Sequence, residues 1–110
     1  MKVYISGPVS GLANSTARAN FAAAAAEIKR KGHEPVNPCL LQDILTPSTT
    51  TWNQYMIVAL ALMSVCEAIV LLPGWETSKG ARIEAREAMN GGMIQFNSLA
   101  AIWDAPTGGE

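Results

Sequence analysis

Five consecutive apolar residues, Ala68-Ile69-Val70-Leu71-Leu72, are closed by Pro73-Gly74 and followed by Lys79 to Met89, a segment that reads as a helix ended by Asn90-Gly91-Gly92. A run so short and so continuously apolar needs cover on both faces, the setting of a central strand in a parallel sheet. Parallel neighbours are joined only by crossovers, so the chain must place helices between its strands.

The remaining segments meet that demand. Lys2 to Ser6 is a β-branched and aromatic run stopped by Gly7-Pro8, a first strand ending in a turn. Thr16 to Lys31 is predicted helical, with Phe21, Ala25 and Ile28 on one face, basic residues in the last turn and Gly32 as its stop. Glu34 to Asn37 supplies a second strand before Pro38, and Cys39 to Thr51, with Pro47 and four threonines, reads as an irregular loop of a length that is often functional. Trp52 to Val65 is predicted helical but apolar nearly all round, which implies burial on more than one side. Met93 to Phe96 adds a fourth strand. The expected fold is α/β, a small doubly wound Rossmann-like or flavodoxin-like parallel sheet of about four to five strands flanked by helices. Residues 1–104 are expected to form one domain, and 105–110 a flexible tail with nothing to bury. Ligands in such sheets bind outside the carboxyl ends of the strands.

Bulk properties narrow the partners. Of 110 residues, 49% are hydrophobic and only 15% charged, so some apolar surface is expected to meet another subunit. Met56, Ile57, Leu60 and Met63 on the second helix are the candidate interface of a homodimer or higher homo-oligomer. A net charge of -1 offers no basic footprint for a nucleic acid polymer, which leaves a small-molecule ligand. The run from Met56 to Leu72 is interrupted by Ser64 and Glu67 and is too short to span a membrane. Cys39 and Cys66 lack CxxC spacing and no leader precedes the first strand, so a reduced, cytoplasmic compartment is expected. No His/Cys/Asp cluster has metal-ligand spacing, and no cofactor is called for.

Two glycine-containing turns follow predicted strands and should open on the same edge: Ser6-Gly7-Pro8-Val9-Ser10-Gly11, and Pro73-Gly74-Trp75-Glu76-Thr77-Ser78-Lys79-Gly80. Glycine lets backbone N–H groups approach a ligand, and the second turn runs into a helix whose N-terminus favours an anion such as phosphate. Neither is a P-loop or a dinucleotide fingerprint, since GK[ST] and GxGxxG are both missing. Glu84 lies on the first turns of the following helix, with Glu87 on roughly the same face. By position alone, Glu84 is an ordinary solvated acid.

The stretches Val3-Tyr4-Ile5-Ser6-Gly7-Pro8, Gly32-His33-Glu34 with Asn37-Pro38, and Leu71-Leu72-Pro73-Gly74-Trp75-Glu76 with Ser78-Lys79-Gly80-Ala81-Arg82-Ile83-Glu84 together resemble a small bacterial and phage branch, DUF4406-like, of the nucleoside 2-deoxyribosyltransferase-like superfamily. The resemblance covers roughly residues 2 to 97. It implies that Glu84 attacks the anomeric carbon of a sugar, as in deoxyribosyltransferases and nucleotide N-hydrolases, by a retaining pathway with a covalent glycosyl-enzyme. The residue six before that glutamate is aspartate in transferases acting on nucleosides and serine in hydrolases acting on 5′-monophosphates; here it is Ser78. A hydroxyl at a helix N-terminus, with Lys79 nearby, can donate to a phosphate that a carboxylate would repel.

By the same resemblance, Tyr4, Ser6, Gly7, Pro8, Ser10 and Gly11 line the phosphate and sugar, and Gly74, Trp75, Ser78 and Gly80 complete the substrate site. Trp75 can stack on a base or contact a subunit. Two departures matter. Ser10 stands where nucleotide hydrolases carry arginine, and Ala59 where relatives carry an aspartate that helps protonate the leaving base. Without that acid, Glu76 or Glu87 assists, turnover is slow, or the protein binds a nucleotide without cleaving it. Nucleoside transfer is a further alternative, and the Pro-Gly turn also resembles, less well, the PGG-type loop of phosphoribohydrolases that release cytokinin bases. Glu67 is read as a residue leading into the strand, and His33 as a turn residue.

Overall fold

A computed structural model describes residues 1–9 and 14–106. In chain order it contains β1 (Lys2–Ser6), α1 (Asn14–Arg30), β2 (Glu34–Val36), α2 (Trp52–Met63), β3 (Ala68–Leu71), α3 (Lys79–Asn90) and β4 (Ile94–Phe96), with 3₁₀ turns at Pro38–Asp43, Trp75–Thr77 and Leu99–Ala101. The four strands form one sheet in the order β2-β1-β3-β4, parallel throughout. The chain is thus a Rossmann-like, doubly wound α/β protein, at the lower end of the expected strand number.

The order explains the burial. After β1 the chain moves outward to β2, then steps back across β1 to β3 and continues to β4, so its direction reverses between β1 and β3. Those two central strands are apolar on both faces. Val3, Ile5, Ala68 and Val70 pack with Phe21, Ala24 and Ile28 of α1 on one side of the sheet. Tyr4, Ile69 and Leu71 pack with Met63 of α2 and with Ala85 and Ala88 of α3 on the other. The alternation along a strand sends Tyr4 and Ser6 to the face covered by α2 and α3.

Several boundaries and faces shift from expectation. α1 begins at Asn14 and ends at Arg30, with Gly32 supplying the left-handed stop at φ 85°. Ala24 is fully buried, whereas Ala25 only partly contacts the core. Within the expected irregular loop, Pro38–Asp43 forms a 3₁₀ turn because the Asn37 side chain accepts from the Cys39 N–H at 3.0 Å. α2 starts with a capping box, in which Thr51 Oγ1 accepts from the Gln54 N–H and Gln54 Oε1 accepts from the Thr51 N–H, and it stops two residues before Val65.

Of the four α2 residues assigned to an interface, Met56 and Met63 are buried within their own chain, because the helical period aligns them with Ala59 on the inward side. The exposed large apolar side chains of α2 are Trp52, Ile57 and Val58, and Val65 is exposed just beyond its end.

Ala105, placed by the sequence in the tail, is anchored: its N–H donates to Lys31 O at 2.8 Å, while Lys31 Nζ donates to Leu99 O and Ile102 O. His33 is buried and joins the amino terminus, through Nδ1, to Trp103 O, through Nε2, far from the strand carboxyl ends. Glu67 Oε2 accepts from the Lys2 N–H at 2.6 Å, fixing the start of β1. No helix among the described residues is long and apolar enough to cross a membrane.

Candidate active site

The reversal between β1 and β3 leaves a crevice at the strand carboxyl ends, the general ligand position in open α/β sheets. A cavity of about 260 Å³ occupies it. Gly7 comes from the end of β1, Ser78, Gly80, Ala81 and Glu84 from the start of α3, and Trp52, Tyr55 and Met56 from the start of α2. Phe21 of α1 and the segment containing Pro38, Gln42 and Leu45 close the remaining walls.

Ser78 starts α3 as its N-cap, its Oγ accepting from the Ala81 N–H at 3.2 Å. From there, Ala81, Glu84, Ala85 and Ala88 fall on the buried side of the helix. Three alanines at that spacing form an ordinary packing stripe; Glu84 interrupts it with a carboxyl that is only 6% exposed. Such a group needs partners. Tyr4 Oη donates to Glu84 Oε2, and Ser6 Oγ donates to Oε1 at 2.8 Å. Tyr4 and Ser6 face Glu84 together because they lie two apart on β1.

Burial pushes the Glu84 carboxyl above its ordinary range, while the bonds from Tyr4 and Ser6 work in the opposite direction. Burial, reinforced by the Glu84 charge, raises Tyr4 far above the usual phenol value, so the phenol stays protonated and remains a donor. Among the described residues no cation lies within ion-pair distance of Glu84. The result is an oriented carboxyl at the cavity wall, held by two hydroxyl donors and without a neutralising charge.

The adjoining end of α3 is suited to an anion. Ser78 Oγ accepts one bond and keeps its own proton for a ligand, and the first N–H groups of a helix have no intrahelical acceptor. Lys79 Nζ lies 4.7 Å from the centre of the Trp52 ring, a cation–π contact tying the starts of α2 and α3 together beside the cavity.

The sequence-derived residues separate into groups. Glu84, Ser78, Gly80 and Gly7 line the cavity. Tyr4 and Ser6 stand behind Glu84, completely buried, and act on it rather than facing the open space. Pro8 lines a different depression, on the α1 side with Leu72 and Pro73. Gly74 adopts φ 86° and shapes the turn after β3, and Trp75 packs partly buried against the Tyr4 side of the core; neither lines the cavity. Ser10 and Gly11 lie outside the described residues. Glu76 and Glu87 are both exposed and away from the cavity, and Ala59 is fully buried one turn beyond Tyr55 and Met56.

Sequence reasoning passed over Trp52, Tyr55 and Gln42. The available signal was the pair of aromatics at i and i+3 opening a helix directly after a long proline-rich loop. Among the described residues no three His, Cys, Asp or Glu side chains converge as metal ligands would.

A family model described as a domain of unknown function, DUF4406, matches residues 1–95. No curated protein and no solved structure matches the chain.

Proposed function

The chain belongs to the DUF4406 family, and from its cavity we propose that it is an N-glycosidase cleaving the base–sugar bond of a (deoxy)nucleoside 5′-monophosphate, on a nucleoside 2-deoxyribosyltransferase-like scaffold. The observation that carries this reading is the buried Glu84 carboxyl, held by Tyr4 and Ser6 at the wall of a cavity that also contains a helix N-terminus.

In the proposed reaction the phosphate lies against the start of α3, meeting backbone N–H groups and the Ser78 hydroxyl. Glu84 then attacks C1′ from the face opposite the base, forming a glycosyl ester as the C1′–N bond breaks. Water subsequently attacks C1′ and releases the sugar phosphate, regenerating the carboxylate. Tyr4 and Ser6 keep Glu84 ionised and aimed. Bringing carboxylate and anomeric carbon into attack geometry supplies much of the rate enhancement of such a step. A second free base in place of water as acceptor makes the same intermediate a transfer reaction.

A second reading, a protein that binds and sequesters a nucleotide, draws on the absence of any second carboxyl among the described cavity-lining residues. Retaining glycosidases ordinarily pair two. The exposed Ile57 and Val58, with Val65 just past the helix end, make the outer side of α2 the proposed homodimer contact.

Incubation with a panel of nucleoside 5′-monophosphates and the matching nucleosides, followed by chromatography of free base, separates these readings. Base release that favours the phosphorylated substrates supports hydrolysis. Calorimetric binding with every nucleotide recovered intact supports sequestration instead.

A further inference from the structure

An N-glycosidic bond breaks only if the departing base can carry the electron pair it receives, so something in the cavity must stabilise the base. Only two titratable side chains line the cavity among the described residues, Glu84 and Tyr55. Glu84 is committed to the sugar in the proposed reaction. We propose that the Tyr55 hydroxyl meets the leaving base as a hydrogen-bond donor, an inference that rests on the N-glycosidase reading of the cavity.

Placement favours Tyr55. It belongs to the α2 wall, whereas Glu84 belongs to α3, so a sugar held by α3 directs its base towards α2 and the segment containing Pro38 and Gln42. The two groups are close enough for the Glu84 charge to contribute, after burial and the neighbouring Cys39, to raising the Tyr55 phenol above its ordinary value. The phenol therefore keeps its proton and is a donor at neutral pH.

Its present acceptor is the Pro38 carbonyl at 3.2 Å, long for an O–H···O bond, and a base atom acquiring negative charge is a stronger competitor. The other cavity hydroxyls are less suited. Thr50, Thr51 and Ser78 carry aliphatic hydroxyls, far weaker acids than a phenol, and the Ser78 proton is directed to the phosphate in the proposed reaction. Tyr4 is fully buried and already donates to Glu84.

The electron balance is simple. A Glu84 oxygen bonds to C1′ as the C1′–N pair moves onto the base, and Tyr55 donates a hydrogen bond to the base nitrogen or oxygen where that charge collects. The phenol retains its proton. The departing base takes a proton from water, and the water that later attacks C1′ returns one to solvent.

The test compares wild type and Tyr55→Phe on the natural 5′-monophosphate that the wild type cleaves fastest, and on its analogue with a better leaving base, N7-methyl for a purine or 5-fluoro for a pyrimidine. Loss of a hydrogen bond to a developing charge predicts a fall of roughly 10- to 100-fold in base release from the natural nucleotide. The fall on the activated analogue should be several-fold smaller. A purely structural role would slow both substrates equally, and that result, or no slowing at all, overturns the assignment to Tyr55 while leaving Glu84 as nucleophile. If the wild type releases no base from any nucleotide, the N-glycosidase reading fails and the Tyr55 assignment fails with it.

Discussion

Tyr4 and Glu84, 80 residues apart in the chain, meet through a bond in which the phenol donates to Oε2 of the carboxyl. Because burial already drives Glu84 towards its protonated form, the phenol is one of two groups that keep it ionisable. Tyr4→Phe removes that support and raises the Glu84 pKa further. A nucleophilic carboxyl works only when ionised, so the acidic limb of the base-release profile should move to higher pH, with the maximal rate falling roughly 10- to 100-fold. A uniform loss at every pH would mean that Tyr4 merely packs.

Glu84 also makes stability depend on pH, with a definite sign. Its folded-state pKa is raised, so the folded protein holds this proton at pH values where the unfolded chain has released it. Its contribution is full below the unfolded-state value and is lost as pH rises through the folded-state value. Glu84→Gln cannot ionise and escapes the loss. The Tm of the variant relative to wild type should therefore increase as pH rises from the ordinary glutamate value, about pH 4, through the raised folded-state value. A difference that is flat or decreasing across that window contradicts a buried carboxyl with a raised pKa.

Gly7 is constrained by packing as well as by its place at the cavity. A Cβ added there would lie 2.9 Å from Leu72 Cβ, an atom fixed close to its backbone. Overpacking of this kind costs roughly 1–3 kcal/mol. Gly7→Ala should lower the denaturant midpoint accordingly, and an unchanged midpoint would show that the ends of β1 and β3 can separate freely.

The outer side of α2 exposes Ile57 at 68%, with Val58 beside it and Val65, 58% exposed, two residues past the helix end. If this surface joins two copies, light scattering should report twice the chain mass, and Ile57→Glu with Val58→Glu should reduce it to one. A monomeric wild type removes the dimer proposal without touching the cavity.

Much of the architecture was legible because the sheet writes itself into short apolar runs closed by Gly or Pro, as at Ser6-Gly7-Pro8 and Leu72-Pro73-Gly74. Glu84 was legible as a position through resemblance; its burial was written in the Ala81, Ala85 and Ala88 stripe that shares its side of α3, a signal lost when the glutamate was weighed by position alone. The inward side of α2 was hidden for a related reason. Apolar residues all round the helix leave no periodic contrast, so Met56 and Met63 could not be distinguished from Ile57 without the tertiary contact.

The choice between Trp52 and Trp75 as the cavity aromatic depended on how α2 docks against α3, a relation absent from either local sequence. The 3₁₀ turn at Pro38–Asp43 is too short to carry a period and is set by the Asn37 cap.

The most direct test of the central claim is covalent trapping. A 2-fluoro-substituted nucleoside 5′-monophosphate slows breakdown of a glycosyl-enzyme more than it slows formation, so intact-protein mass spectrometry after incubation should show one added fluorosugar phosphate. Peptide mapping should place it on Glu84, and Glu84→Gln should acquire none. An adduct on another residue, or release of base from the natural nucleotide by Glu84→Gln at the wild-type rate, would contradict the account.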